Sequence, residues 1–273
     1  MFTRLILTLL CTGLLTISPM LLDLPSYQVQ AQEHINLYPE VDKAVRELQD
    51  ASQQYLQEKN PRAIFAKVYW RVTLEFSRWI KGGQFLRPDI VAEMVVEFHR
   101  LYKKAIVEFD SADAGICQAW QISFEQALKD DVKPSVHLLL GLNAHISHDL
   151  PVTFAQVLKR YGRFPLVKRD FFRMNDLFTG LMDDLLSILK DMNRYFEQDG
   201  IDLFPFQTVK KKIVMNFVKD MRQRAFSDGL ALYLAKDQEQ EEKVLAAIRH
   251  SALAKAKTIV SLKHVLPYKS LDL

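Results

Sequence analysis

Glycine and cysteine are both scarce in this chain, and each scarcity argues against a class of structure. The 273 residues include nine glycines and two cysteines. Cys11 lies in an apolar amino-terminal run, so Cys117 would stand alone in a processed chain, which could then form no internal disulfide. Nowhere do four to eight β-branched residues alternate with polar ones between turn residues, so the sequence argues against β-strands.

Several sequence signatures of common enzymes are also missing. The chain contains no Gly-x-Ser-x-Gly, His-Glu-x-x-His or Cys-x-x-Cys motif, no phosphate-binding glycine loop and no dinucleotide-binding fingerprint. These absences argue against serine hydrolases, zincins, nucleotide-driven enzymes and nicotinamide oxidoreductases. The net charge of +3 is too small to indicate a nucleic-acid partner.

The amino terminus has the pattern of a secretory signal peptide. Arg4 precedes a long apolar run, and Val29 and Ala31 are small enough for a signal-peptidase site. We expect cleavage after residue 31, which would leave residues 32–273 as an exported chain, periplasmic or extracellular.

An uncleaved membrane anchor is the alternative to a cleaved signal. Such an anchor needs about 20 consecutive apolar residues, but Ser18, Pro19 and Asp23 interrupt this run. No later segment has the length and apolar character of a transmembrane helix. We therefore expect no transmembrane segment after cleavage.

Apolar residues recur at helical spacing through the rest of the chain. Val41, Val45 and Leu48 share one stripe, and Asn60 followed by Pro61 is typical of an N-cap and a first helical residue. The predicted helices span residues 39–59, 61–82, 88–109, 114–129, 134–149, 151–161, 169–198, 205–235 and 239–262. Short connections between them predict an all-α fold, a single multi-helix bundle of about eight helices over residues 32–273.

The segment "HLLLGLNAHISHDL", residues 137–150, carries polar groups on an otherwise apolar helix. At about 100° per residue, these groups fall within roughly 80° of one another and form one stripe. Its members are His137, Gly141, His145 and His148, and Asp149 follows His145 by one turn. The remaining positions are apolar, so the helix should be buried. An unpaired buried imidazole or amide costs about 1 to 3 kcal/mol, so other groups must meet this stripe.

Two residues within this segment predict close contacts. Gly141 weakens a helix by about 1 kcal/mol relative to alanine, which is explained if another backbone, a ligand or a metal-bound water approaches there. Asn143 points to a different face, and we expect it to tie this helix to a neighbour.

Three hypotheses account for the stripe. In the first, His145 and Asp149, helped by His137 or His148, bind zinc, iron or manganese, since an i, i+4 pair presents two ligands on one side of a helix. In the second, Asp149 orients a histidine in a metal-free acid and base site. In the third, the groups form a hydrogen-bonded core network that fixes helix register.

The same segment resembles the Gly-x-Asn-Ala-His-Ile-x-x-Asp-Leu hallmark of an uncharacterised bacterial all-helical family, a domain of unknown function. The upstream "AWQISF", with Trp120 and Phe124, and the downstream "RDFFRMND", with Asp170 and Asn175, also match family features. The resemblance covers about residues 85–195 and leaves position 148 open.

The resemblance implies an all-α fold and a shared site, but no reaction. It groups Gly141, Asn143, His145 and Asp149, and it makes Asp170 and Asn175 the groups expected to meet them from another helix.

Two functions therefore stay open. One is a metal-assisted hydrolase acting on a small-molecule or lipid-like ligand, with His145, Asp149 and Asp170 as catalytic residues and His137, His145 and Asp149 as metal ligands. Gly141, Asn143, His148 and Asn175 would then support the site. The other is a non-enzymatic helical binding or scaffold protein in which the stripe is only a structural network.

Two further features receive structural interpretations. Cys117, without a surrounding motif, is expected to be buried and inert. Glu93 and Glu97, spaced i, i+4, are expected to form a solvated helix face.

Overall fold

The computed structural model describes residues 36–129, 132–162, 164–196 and 207–262, apart from the side chains of 207–211 and 213. The described residues between 36 and 262 belong to one compact unit. The predicted signal peptide lies outside the described residues.

Throughout the described ranges the regular elements are helices, which confirms the prediction of an all-α fold. They are α1 (Tyr38–Gln57), α2 (Arg62–Lys81), α3 (Pro88–Asp110), α4 (Gln118–Gln126), α5 (Pro134–Ala144), a π-helical segment (His145–Asp149), α6 (Leu150–Tyr161), α7 (Phe164–Tyr195), α8 (Gln207–Tyr233) and α9 (Gln238–Leu262). Because α5, the π segment and α6 follow one another without a break, the described chain contains eight helical rods, close to the predicted number.

Two helices begin at least four residues from their predicted start. α4 begins at Gln118 and not at residue 114, because the preceding residues form a turn in which Gly115 N–H donates to Asp113 Oδ1 at 2.7 Å. α7 begins at Phe164 and not at residue 169: Gly162, with φ of 61°, ends α6, and Pro165 fits the first turn of the next helix.

The π segment replaces the break predicted between residues 149 and 151. Pro151 has no N–H, so it cannot make the α-helical bond to the Ser147 carbonyl. The N–H of Leu150 instead donates to the His145 carbonyl, five residues back, and the helix widens locally without ending. This widened turn carries His145, His148 and Asp149.

Two apolar clusters surround this turn. The larger one packs residues of α2, α3, α6, α7 and α8, with Phe154 and Phe171 fully buried near its centre. The second, called here the aromatic cluster, joins α2, α3, α4, α5 and α9 and includes Phe65, Tyr69, Tyr102, Trp120 and Phe124. The polar stripe meets the aromatic cluster.

In the described part of the chain, no helix combines the length and apolar character needed to cross a membrane.

Candidate functional site

The carboxylate of Asp149 is the centre of the buried polar site. Asp149 is 2% exposed. Its Oδ2 accepts hydrogen bonds from Trp120 Nε1 at 2.9 Å and from His145 Nδ1 at 3.1 Å, and its Oδ1 accepts one from His148 Nδ1 at 2.7 Å. Three side chains from two elements, α4 and the π segment, therefore converge on one carboxylate.

The two histidines on Asp149 differ in charge. Burial lowers the pKa of His145, and the hydrogen bond to Asp149 offsets this only in part, so His145 is a neutral donor at pH 7. Burial also opposes the charged form of His148, but hydrogen bonds to Asp149 and Cys117 outweigh it and raise its pKa to about 10. Although burial alone would raise the pKa of Asp149, the two histidines hold it below its usual value. The site thus contains one buried ion pair, between Asp149 and His148.

The ring of His145 is enclosed by aromatic side chains. It lies flat against Phe98, with ring centroids 3.4 Å apart, and meets the edge of Tyr69 at a centroid distance of 4.3 Å. Phe65, Tyr102 and Trp120 complete the enclosure. Two polar atoms inside it, His145 Nε2 and Tyr69 Oη, are buried and have no hydrogen-bond partner among the described residues.

The close approach predicted at Gly141 is confirmed, and the approaching group is a side chain. A Cβ atom at this position would lie 2.5 Å from Phe65 Cδ2 and 2.6 Å from Phe65 Cγ. The phenyl ring of Phe65, and not a backbone, ligand or metal-bound water, occupies this space. Only glycine lets α5 and α2 approach so closely.

The contact predicted for Asn143 is also confirmed. Asn143 is 1% exposed, and its Nδ2 donates to the carbonyl of Ala252 on α9 at 2.8 Å. The side chain therefore joins α5 to α9 on a face separate from the Asp149 site.

His137 lies apart from the hydrogen bonds of Asp149, in the wall of a small cavity. This cavity, of about 10 Å³, is also lined by Arg62, Phe65, Tyr102 and Trp120. In the described part of the chain, neither ring nitrogen of His137 has a hydrogen-bond partner within normal limits of distance and angle. The backbone of Val132 nevertheless opposes part of the shift in the pKa of His137. Burial lowers the pKa of His137 to about 4, so it is neutral at pH 7.

Asp170 and Asn175 form their hydrogen bonds with residues outside the polar stripe. Asp170, 2% exposed, accepts the backbone N–H groups of Leu86 at 2.9 Å and Arg87 at 2.7 Å, and so supports the loop before α3. Asn175 Oδ1 accepts a hydrogen bond from Arg222 Nε at 2.8 Å. The expectation that Asp170 and Asn175 of α7 meet the polar stripe is wrong, because these side chains bind a neighbouring loop and a neighbouring helix.

The predicted metal ligands are not assembled as a coordination group. Among the described residues, no three His, Cys, Asp or Glu side chains are grouped so that they could hold a metal ion. His145 and Asp149 are joined directly by a hydrogen bond.

Sequence reasoning missed two members of the site and misplaced a third residue. The sequence indicates Trp120 only through the family resemblance. A buried indole N–H needs a hydrogen-bond acceptor, however, and this requirement could have identified Asp149 as its partner. Cys117 is half-buried and packs against the aromatic cluster, so the expectation that it is buried is wrong. Glu93 is buried and pairs with Arg160 and Tyr161, so the expectation of a solvated face is wrong for it.

These features define a class of protein: an all-helical domain whose buried carboxylate is bonded by tryptophan and two histidines inside an aromatic enclosure. The chain belongs to the family of unknown function DUF5995, whose family model matches residues 41–262. This match is wider than the region of about 85–195 that the motifs indicate. Searches of curated proteins and of solved structures gave no match.

Proposed function

We propose that this chain is an exported helical binding or scaffold protein in which the polar site around Asp149 is a structural network. The observation that carries the proposal is that both oxygens of a fully buried carboxylate are bonded by side-chain donors. Trp120 fastens α4 to the π segment, and Asn143 fastens α5 to α9. Because a hydrogen bond requires a particular geometry, these bonds together fix the relative translation and rotation of the helices.

The space beside the network supports a structural role. The cavity lined by His137 measures about 10 Å³, which is room for roughly one water molecule. A lipid-like ligand does not fit there.

Export rests on the sequence of the amino terminus. Arg4, the apolar run and the small residues at 29 and 31 support a cleaved signal. Intact-mass measurement of the protein recovered outside the cytoplasm should give a chain that begins at Gln32. A full-length chain retained with the membrane would contradict export by this route.

A metal-assisted hydrolase is the alternative, and one observation favours it. His145 Nε2 is buried and no described residue bonds to it, and an imidazole nitrogen of this kind is a common metal ligand. In such an enzyme His137 and Asp149 would complete the ligand set, and the metal would lower the pKa of a bound water to about 7. Both residues would have to leave their present positions.

Metal analysis combined with thermal unfolding separates the two functions. The purified protein is compared with His145→Ala, Asp149→Ala and a control, His250→Ala, which alters an exposed histidine of α9. The structural network predicts no stoichiometric metal, no effect of a chelator on Tm, and a large fall in Tm for the two site variants alone. About one metal per chain, lost in both site variants while Tm is retained, would establish the alternative.

A further inference from the structure

A serine of the π segment and a lysine of α9 contact each other where the two elements pack together. Lys255 Nζ lies 3.1 Å from Ser147 Oγ. About one turn earlier along the chain, Asn143 donates to the carbonyl of Ala252. Ala252 and Ala256 are fully buried, which lets α9 approach the π segment closely. The amine is therefore held beside the hydroxyl by the packing of the helices.

The hydroxyl of Ser147 lacks the usual acceptor of a helical serine. Ser52 and Ser111 donate to carbonyl groups three and four residues earlier, at 2.8 and 2.7 Å. Among the described residues, Ser147 Oγ has Lys255 Nζ as its one hydrogen-bond partner. An ammonium group has donors and no acceptor, so it cannot take the hydroxyl proton, whereas the lone pair of a neutral amine can. The contact thus favours the neutral form of Lys255.

Lys255 also lacks the carboxylate partner that several other lysines have. Lys81 and Lys159 each form an ion pair at 2.6 Å, whereas no carboxylate among the described residues forms an ion pair with Lys255. Burial lowers the pKa of Lys255, the charge of Arg224 lowers it further, and the charge of Asp228 opposes the shift. Burial in turn raises the pKa of Asp228. The amine therefore loses its proton at a lower pH than an exposed lysine does.

Ser147 lies in the part of the helix that Pro151 distorts. Proline has no N–H to donate to the Ser147 carbonyl, and π-helical turns of this kind often occur at functional sites. Ser147 is 6% exposed and Lys255 is half-buried. The pair therefore lies at the edge of the core, where the amine is shielded from most of the solvent but a small molecule can still reach it.

We propose that Ser147 and Lys255 form a serine–lysine acyl-transfer site for small carboxylic esters. Lys255 Nζ accepts the hydroxyl proton as Ser147 Oγ attacks and bonds to the carbonyl carbon. The bond to the leaving alcohol then breaks, and the alcohol takes the proton from the Lys255 ammonium. Water, deprotonated by the same amine, hydrolyses the acyl-serine and releases the acid.

This proposal goes beyond the scaffold function because it assigns a reaction to side chains outside the Asp149 network. The missing Gly-x-Ser-x-Gly motif does not argue against it, because serine–lysine sites occur on folds unrelated to those that carry this motif.

Acetylation of the full chain by p-nitrophenyl acetate tests this proposal. We expect release of nitrophenol and an acetyl group on the peptide that contains Ser147, detected by mass spectrometry. Hydroxylamine removes an acetyl ester from serine but leaves an acetyl amide on lysine, so it shows which group was modified. The rate should rise with pH as Lys255 loses its proton, with a midpoint below about 10.4, the pKa of an ordinary lysine.

Substitution of Lys255 separates a base from a structural contact. Lys255→Arg keeps the charge and the hydrogen-bond donors but does not lose its proton, so acetylation of Ser147 should slow at least about hundredfold. Ser147→Ala should remove the ester altogether. Lys257→Arg, at an exposed position of α9, is the matched control and should keep the parent rate.

Circular dichroism and Tm show whether each variant folds, and Lys255→Met, which keeps an unbranched stem, replaces Lys255→Arg if the arginine variant does not. The proposal is overturned if the folded parent forms no hydroxylamine-sensitive ester at Ser147. It is also overturned if a folded Lys255 variant keeps the parent rate.

Discussion

Asp149 and Asp170 are equally buried, each 2% exposed, but they are satisfied in different ways. Asp149 is bonded by three side chains, one of them a charged histidine. Asp170 is bonded by two backbone N–H groups of the loop before α3. Burial of a carboxylate therefore does not identify its role. Asp149 links ionisable side chains, whereas Asp170 holds a loop in place.

The largest difference between Asp149 and Asp170 should appear when each side chain is truncated to alanine. Asp149→Ala leaves the charged ring of His148 without its partner, so we expect the free energy of unfolding to fall by about 3 to 5 kcal/mol. Urea unfolding followed by circular dichroism measures this. Asp149→Asn, which keeps the shape and one acceptor, should lose less. A loss below about 1 kcal/mol for Asp149→Ala would mean that the network does not stabilise the fold.

Asp170→Ala should have a smaller and more local effect. It leaves two backbone N–H groups without an acceptor, at a cost of about 1 to 3 kcal/mol. Hydrogen exchange should accelerate at the amides of Leu86 and Arg87 while the amides of the π segment stay protected. If exchange increased equally at both places, the two aspartates would belong to one cooperative site.

The contacts within a helix could be predicted, and those between helices mostly could not. Helical spacing brings His145 and Asp149 together, and it directs Asn143 to another face, where it meets Ala252. Gly141 correctly indicated a close approach, but Phe65, 76 residues earlier in the chain, could not be identified, because no local pattern shows which helix packs there.

Asp170 shows the same limit of prediction from the sequence. A polar residue on a buried helix has to be satisfied, and the sequence does not reveal whether a side chain or a backbone loop satisfies it. Pro151 shows a second limit. A proline usually marks a helix boundary, but here a single widened turn absorbs it and the helix continues.

The smallest expected effect is a dependence of stability on pH that arises at the Asp149 site. Because the pKa of His148 is raised to about 10 in the folded protein, above about 6.5 for an unperturbed histidine, its charge stabilises the fold fully below pH 6.5. That contribution is lost as the pH rises towards 10. Asp149, with a lowered pKa, stays charged throughout this range, and His145 stays neutral.

His148→Gln isolates this contribution, since glutamine can still donate a hydrogen bond to Asp149 but carries no charge. We expect it to lower the free energy of unfolding by about 1 kcal/mol near pH 6, because a hydrogen bond between charged groups contributes about 1.5 to 3 kcal/mol and a neutral one about 1 kcal/mol. The difference should shrink to nothing near pH 10. Urea unfolding at pH 6, 8 and 10 measures it, with His250→Gln, at an exposed position of α9, as the control for the substitution itself. A difference that grew as the pH rose would mean that His148 is neutral in the folded protein. The contrast between an aspartate bonded by a charged side chain and one bonded by backbone N–H groups would then fail.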